Sequence, residues 1–197
     1  QNLFDDHRAF VWGQTWRVRE TADRLIQEGS IRPLIIVGID HGGERRIDEM
    51  AITRDLRSGR GGQAKLYGRM ITEEIKPYVD SHFRTLAGVL DTGLGGSSLG
   101  GLVSLYLGFR LPHIFGKLAI LSPSLWWDNR IMLTRLRMNR HAVKARIWLD
   151  IGTREGRSHV QMVKNTRILR DALLARGWQA GRHLHYAEVE GAGHSEQ

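Results

Sequence analysis

The sequence predicts an α/β fold in which a mostly parallel sheet carries helices on both faces. Short apolar runs of strand length alternate along the chain with longer segments whose apolar residues recur at helical spacing. The first apolar run, residues 34–39, is continuous, as is typical of a central parallel strand covered on both faces. No repeat or internal linker interrupts the alternation, so residues 1–197 are predicted to form a single domain.

The predicted helices follow from apolar positions three and four residues apart. The first covers residues 15–28 and ends at Gly29, and the second covers residues 67–83 with a kink expected at Pro77. The later helices cover residues 99–109, 129–138 and 158–176. The predicted strands cover residues 34–39, 92–97, 117–122, 145–152 and 183–191. Residues 53–65 are polar and glycine-rich, which predicts a loop.

The composition excludes several classes of protein. With 41% hydrophobic and 25% charged residues, the chain is globular rather than disordered. The absence of cysteine excludes disulfides, thiolate metal sites and a cysteine nucleophile. The net charge is +8, but the arginines are scattered and interleaved with acidic residues. We therefore expect a solvated surface, with no nucleic-acid partner and no membrane partner.

A glycine-rich stretch, GLGGSSLGGL at residues 93–102, joins a predicted strand to a predicted helix. Within it, residues 96–100 form a G-x-S-x-G pattern centred on Ser98. In a sharp strand-to-helix turn, small residues on either side of the serine let the backbone cross, and the hydroxyl is lifted above the sheet edge. The start of the next helix directs backbone N–H groups to the same place, where they can stabilise an oxyanion. The alternative, a phosphate-binding loop, lacks its lysine. Ser98 is therefore predicted to be a nucleophile.

A serine nucleophile needs a base, and the chain has nine histidines. His194 follows the last predicted strand on a glycine-containing turn, and it comes last in chain order, as this architecture requires. His183 and His185 lie within that strand and are predicted to be structural. His159, at the start of a helix, is a rival with less positional support.

A carboxylate must orient the imidazole. We expect it after the strand that lies between the serine and the histidine in the chain, in the stretch LDIGTREG. Asp150 lies at the end of that strand, and Glu155 lies in the loop that follows. Spacing alone leaves both residues open as the acid.

Six stretches carry a family resemblance and span nearly the whole chain: QNLFDD, PLIIVGIDHGGERRIDE, GLGGSSLGGLVSLYLGF, FGKLAILSPSLWWD, IWLDIGTREG and GAGH. In these stretches the chain resembles the putative esterase family of α/β-hydrolases, and within it the enterochelin esterase-like branch. Feruloyl and acetylxylan esterases and mycolyltransferases belong to the same family. The resemblance implies an α/β-hydrolase fold with Ser98 as nucleophile and His194 as base. A Gly-Thr-x-Glu turn, matched at residues 152–155, implies Glu155 as the acid.

An oxyanion hole should use two backbone N–H groups. The residue after the nucleophile, Leu99, supplies one. The resemblance implies Gln1 as the other, because Gln1 matches the turn after an early strand of the family. Relatives have further strands before this point and a tryptophan-containing helix after the histidine. We therefore expect a domain that lacks the family's N-terminal strands and is incomplete at both ends.

Three residues are candidates for substrate binding. Trp126 and Trp127 follow a strand on the catalytic side, where they could line an acyl or aryl pocket or pack in the core. Arg45, with the neighbouring Arg46, lies beyond another predicted strand and could meet an acidic or catecholate group. The favoured alternative is that both arginines hold their loop by pairing with Glu44, Asp48 and Glu49.

The predicted function is carboxylic-ester hydrolysis through an acyl-serine intermediate, with a small-molecule ester as substrate and no cofactor. One alternative is acyl transfer to an alcohol by the same residues, and another is a non-catalytic basic binding module on a hydrolase scaffold. A metal site at Asp40 and His41 is not predicted, because no third ligand accompanies them. The acyl group, the alcohol, the oligomeric state and the compartment do not follow from these residues.

Overall fold

The computed structural model of the protein describes residues 3–4, 15–138 and 145–194. These residues fall into two compact units. One unit contains the described residues up to His41, and the other is formed by Gly42–His194. The described candidates for nucleophile, acid and base all lie in the second unit.

The first unit contains helix α1, Val18–Gln27, which confirms the first predicted helix and ends before Gly29 at φ 68°. The prediction of a strand over residues 34–39 is wrong. In the described part of the chain these residues form no strand ladder, and Leu34 and Ile35 are 55% and 49% exposed. A strand needs backbone hydrogen bonds to a neighbouring strand, and a continuous apolar run cannot supply that partner by itself.

The second unit contains a four-stranded sheet made of β1 (Gly93–Ser97), β2 (Lys117–Leu121), β3 (Arg146–Gly152) and β4 (Leu184–Val189). The strands lie in the order β1-β2-β3-β4, and every neighbouring pair is parallel. The four strands predicted for this part of the chain are therefore confirmed, each shortened at its ends by one or two residues. Because all four run in one direction, their carboxyl ends meet at one edge of the sheet.

The helices of the second unit are α2 (Arg46–Met50), α3 (Ala64–Arg69), α4 (Lys76–His82), α5 (Leu99–Arg110), α6 (Trp127–Met138) and α7 (His159–Leu174). Helix α5 packs against β1 and β2, and α7 packs against β3 and β4. The core lies between these helices and alternate strand residues, of which Ile120 and Leu149 are fully buried. A parallel sheet with packed helices confirms the predicted α/β class. Helix α2 and the 3₁₀ turn before it, Gly43–Arg45, were not predicted.

The second predicted helix is longer and less regular than expected. Helices α3 and α4 are joined by a π-helical segment, Met70–Ile75, which ends just before Pro77. Proline has no N–H to donate and its ring crowds the preceding turn, so the helical hydrogen-bond pattern must change there. The expected kink at Pro77 thus takes the form of a wider helical turn. The predicted loop ends at residue 63, because α3 already begins at Ala64.

Candidate active site

Ser98 lies in the sharp turn between β1 and α5, with φ 61° and ψ −119°. A side chain other than hydrogen is strained in this backbone conformation, which is common at functional sites. Crowding requires glycine at positions 96 and 101, whereas a Cβ on Gly100 would meet nothing within 4 Å. A Cβ on Gly96 would lie 2.7 Å from the carbonyl carbon of Gly100, and one on Gly101 would lie 2.9 Å from the carbonyl oxygen of Leu121. A strained serine in a crowded strand-to-helix turn is the geometry that the sequence predicts for a nucleophile.

The backbone of Ser98 is fixed on both sides. Its N–H donates to the Leu121 carbonyl at 3.0 Å, and its carbonyl accepts from the N–H groups of Leu102 and Ser124 at 3.0 Å each. The Ser98 hydroxyl lies 3.2 Å from the hydroxyl of Ser124, which is only 2% exposed. The end of β2 and the loop after it therefore hold the elbow in place.

The structure brings Glu155 and His194 together. The Oε2 atom of Glu155 lies 2.7 Å from Nδ1 of His194. An ionised carboxylate can only accept a hydrogen bond, so in this pair Nδ1 carries the proton and donates it. That tautomer leaves Nε2 able to accept a proton from a serine hydroxyl.

Hydrogen bonds between two turns explain why the acid and the histidine meet. The N–H of Thr153 donates to the Val189 carbonyl at 3.0 Å, and that of Arg154 donates to the Ala192 carbonyl at 2.9 Å. The N–H of Gly191 returns a hydrogen bond of 2.8 Å to the Thr153 hydroxyl. The turn after β3 and the turn after β4 are thereby tied together just before the residues that carry the carboxylate and the imidazole.

The Glu155 carboxylate is 2% exposed and accepts three hydrogen bonds. Its Oε1 accepts the Gly152 N–H at 2.8 Å and the hydroxyl of Ser122, while Oε2 accepts from His194. Burial by itself raises the pKa of Glu155, but the hydrogen bonds outweigh it and hold the pKa below its usual value. The carboxylate is therefore kept ionised beside the imidazole.

Asp150, the other candidate acid, is engaged elsewhere. Its carboxylate accepts the Ser122 N–H at 3.1 Å and the Trp148 indole N–H at 2.8 Å. Burial raises the pKa of Asp150 above its usual value. Of the two carboxylates left open by spacing, Glu155 is therefore the one that pairs with His194.

The nucleophile candidate and the histidine lie at the same edge of the sheet but are not hydrogen-bonded to each other. Among the described residues, the Ser98 hydroxyl bonds to Ser124 rather than to His194. Serine–histidine hydrogen bonds are often long or misaligned before substrate binds. For the oxyanion hole, Leu99 opens α5, where the first backbone N–H groups have no partner within the helix. Gln1 lies outside the described residues.

The two tryptophans have different surroundings. Trp127 is 6% exposed, and its indole N–H donates to the Thr53 carbonyl at 3.1 Å. Trp126 is 51% exposed, with its ring centroid 5.9 Å from that of Trp127. This geometry favours core packing for Trp127 and leaves Trp126 open for contact with a ligand.

The residues around Arg45 form a network of polar contacts. Arg45 lies 3.8 Å from Glu49, which also accepts the Gly42 N–H at 2.8 Å. Asp48 accepts from Arg60 at 3.0 Å and from the Gly61 N–H at 2.7 Å. The Gly61 N–H is the main cause that lowers the pKa of Asp48. These contacts favour the loop-holding role of the arginine over substrate binding.

Two other histidines, His159 and His185, contact neighbouring residues in the structure. The His159 imidazole contacts the Gly156 carbonyl at 2.9 Å, and His185 stacks on Trp148. Within the described ranges, no group of three or more His, Cys, Asp or Glu residues is arranged to hold a metal ion. No helix in these ranges is both long and apolar enough to cross a membrane.

Sequence reasoning did not single out Ser122 and Ser124, the two serines that contact the acid and the nucleophile candidate. The only signal was their place: both lie directly after a strand, at its carboxyl end, within the stretch LSPS. A hydroxyl at such a position is common in proteins, and the backbone angles that aim it are not visible in a sequence.

Comparison with known proteins places the chain among esterases. The sequence profile of a family described as "Putative esterase" matches residues 10–197. The uncharacterized protein YbbA of Bacillus subtilis is 27% identical over 168 residues, which cover 81% of this chain and 66% of YbbA. The siderophore enterobactin esterase of Emericella nidulans is 36% identical over 76 residues, which cover 39% of this chain and 25% of that enzyme.

Among solved structures, the enterobactin esterase FES of Shigella flexneri aligns with a TM-score of 0.69 at 22% identity. The alignment covers 93% of this chain and 45% of that chain. A likeness at this identity shows the fold, and it is the α/β-hydrolase fold that the sequence predicts. The chain spans two thirds or less of the length of each of these three relatives.

Proposed function

Because the chain belongs to the family described as "Putative esterase", we propose that it is a serine carboxylic-ester hydrolase. The observation that carries the proposal is the contact between the buried Glu155 and His194, 2.7 Å apart, at the sheet edge where the strained Ser98 lies. A serine, a carboxylate and an imidazole in this chain order are the parts that acyl transfer requires.

In the proposed mechanism, Ser98 Oγ attacks the ester carbonyl carbon while His194 Nε2 takes the hydroxyl proton. Before the attack, the Ser98 hydroxyl breaks its hydrogen bond with Ser124 and rotates toward the His194 imidazole. Glu155 stays ionised and stabilises the imidazolium through the Nδ1–H hydrogen bond. The negative charge that develops on the carbonyl oxygen is stabilised by the Leu99 N–H at the start of α5.

The tetrahedral intermediate then collapses. The bond from the carbonyl carbon to the alcohol oxygen breaks, and His194 gives its proton to the departing alcohol. The product is an acyl-serine at Ser98. Water then attacks this ester with His194 again as base, and the carboxylic acid leaves as Ser98 regains its proton.

We propose a small-molecule ester with an aromatic part as substrate. Two of the relatives are named enterobactin esterases, and the Shigella flexneri enzyme was crystallised in the presence of 2,3-dihydroxy-N-benzoyl-glycine, an aromatic compound. In this chain, Trp126 follows β2 at the catalytic edge with half of its surface exposed. Its indole can stack on an aromatic ring of the substrate.

Labelling with a fluorophosphonate tests the proposal, because this probe forms a covalent adduct only with an activated serine. We expect one adduct per chain, located on Ser98 by peptide mass spectrometry and absent from Ser98→Ala. The neighbouring Ser97→Ala serves as a matched control and should label like the native chain. A folded protein that takes up no label, or labels equally in Ser98→Ala, would contradict the proposal.

A further inference from the structure

Ser122 links both candidate carboxylates. It is the first residue after β2, and its φ of 42° lies in the left-handed region that disfavours any side chain beyond glycine. Its N–H points to Asp150, 3.1 Å from the carboxylate and 3.2 Å from the carbonyl oxygen. Its hydroxyl donates to Oε1 of Glu155. Two carboxylates that are five residues apart in sequence therefore meet at a single serine.

We infer that Ser122 is a positioning residue for Glu155, and that Asp150 holds Ser122 in the strained conformation from which its hydroxyl reaches that carboxylate. The inference rests on the proposed function, since it assigns a purpose to groups that act through the Glu155–His194 pair. Neither Ser122 nor Asp150 touches the reacting atoms.

The hydrogen bonds on Glu155 divide its two oxygens between two tasks. Oε1 is occupied by the Gly152 N–H and the Ser122 hydroxyl, so that Oε2 faces His194. Without the hydroxyl, the Gly152 N–H is the one remaining donor to Oε1 among the described residues, and the carboxylate is held less firmly in the rotation that turns Oε2 to His194. Because Glu155 is 2% exposed, water has little access to replace the lost donor.

The inference also explains why a carboxylate, Asp150, lies partly buried at the end of β3. Burial of the Asp150 carboxylate raises its pKa, and the cost of burying its charge is partly offset by the hydrogen bonds that it accepts. Here the carboxylate accepts the Ser122 N–H and the Trp148 indole N–H, which fix the start of the loop after β2. Asp150 thus stabilises the strained backbone of Ser122, although Asp150 itself does not contact the imidazole of His194.

Removal of the hydroxyl should change the pH profile of hydrolysis. Among the described residues, the titratable groups that face the Glu155 carboxylate are His194, as a hydrogen-bond partner, and Asp150, as a nearby like charge. The Ser122 hydroxyl stabilises the charged form of Glu155, so its loss makes the carboxylate more basic. The Glu155–His194 pair then binds its proton more tightly, and the acid limb of kcat/KM moves to higher pH.

Two variants, Ser122→Ala and Ser122→Gly, test the inference with p-nitrophenyl acetate as substrate. Both delete the hydroxyl, but only glycine accepts a φ of 42° without strain. We expect both to lower kcat about 10- to 100-fold with little change in KM, since a hydrogen bond to a charged group contributes on this order. The acid limb should shift upward by about half to one pH unit in both. Thermal unfolding of each variant reports whether it is folded.

The outcomes separate the two proposals. Equal losses in both folded variants, with the shifted acid limb, support the positioning role. Native activity and an unshifted limb in a folded Ser122→Gly variant overturn it, even if Ser122→Ala is unstable, because the backbone rather than the hydroxyl would then matter. Hydrolysis by the native chain that survives in Ser98→Ala overturns the proposed function, and this inference with it.

Discussion

The turns after β1 and β2 both carry a serine with positive φ, but they use it differently. Ser98 has φ 61° and enters a helix, where its hydroxyl has one side-chain partner among the described residues, Ser124. Ser122 has φ 42° and enters a loop, where its hydroxyl is committed to a buried carboxylate. The comparison teaches that backbone strain at a sheet edge can present a hydroxyl for reaction in one turn and fix a partner in the next.

The surroundings explain the difference. Around Ser98 the residues two and three positions away on each side are glycines, at positions 95, 96, 100 and 101, so the backbone can turn tightly. Around Ser122 the neighbours are Leu121 and Pro123, and the nearest polar groups come from β3 and the turn after it. The same side chain therefore meets another hydroxyl in one case and a buried carboxylate in the other.

The largest expected effect comes from replacing each of the two carboxylates, in separate variants, by the neutral amide of the same shape. Glu155→Gln should lower kcat about 10³- to 10⁴-fold, because the amide cannot stabilise an imidazolium and disturbs the tautomer of His194. Asp150→Asn should cost about tenfold or less, since this residue acts through Ser122. The measurement is kcat for p-nitrophenyl acetate at one pH on both folded variants.

The reverse order of these losses would make Asp150 the acid and would contradict the assignment of Glu155. Equal, large losses would mean that the two carboxylates work as one unit, so that the turn after β2 belongs to the catalytic machinery itself.

The glycines of the elbow and the strain at its centre predict a smaller effect, on stability. Ser98→Gly and Ser98→Ala both remove the hydroxyl, but only glycine relieves a φ of 61°. We expect the glycine variant to exceed the alanine variant in free energy of unfolding by about 1 kcal/mol, which is the strain released less the entropy that glycine loses on folding. Urea unfolding at equilibrium measures the difference. An alanine variant that is more stable than the glycine variant by the glycine entropy alone, about 0.5–1 kcal/mol, would mean that the elbow is not strained.

Much of the fold was predictable from local pattern. Strands β2–β4 and helices α5 and α7 follow from short apolar runs and helical periodicity, because each of them packs an apolar side into the core. The run at residues 34–39 has the same composition but forms no strand in the described structure, since pairing is a property of two segments. Helix α2 is only five residues long and offers too short a pattern to detect.

The candidate site was predictable only in part. The glycines around Ser98 and the position of His194 as the last histidine indicated these two residues, because residue type and chain order can be taken directly from the sequence. Spacing alone could not separate Asp150 from Glu155. The separation depends on how the turn after β3 is tied to the turn after β4, which three non-local hydrogen bonds decide. The role inferred for Ser122 depends on a backbone angle, and no residue type announces a φ of 42°.

The smallest expected effect is a difference in how the two carboxylates couple stability to pH. The pKa of Glu155 lies below its ordinary 4.5, since its hydrogen bonds outweigh burial. The folded state therefore holds the Glu155 proton less tightly than the unfolded state. Glu155 contributes stability above pH 4.5 that is lost as the pH falls through its folded pKa. The pKa of Asp150 is raised above 3.8, mainly by burial. Asp150 contributes stability below pH 3.8 that is lost as the pH rises through its folded pKa.

Urea unfolding at several pH values between about 3 and 6 distinguishes these opposite signs, because both folded pKa values depart from ordinary values in this range. The stability difference between the native chain and Glu155→Gln should grow as the pH rises. The difference between the native chain and Asp150→Asn should shrink over the same interval. If both differences change in the same direction, the two carboxylates do not sit in opposite electrostatic environments. The different roles assigned to Glu155 and Asp150 would then lose their physical basis. Three hydrogen-bond donors lower the pKa of one carboxylate and burial raises the pKa of the other, so their contributions to stability must change with pH in opposite directions.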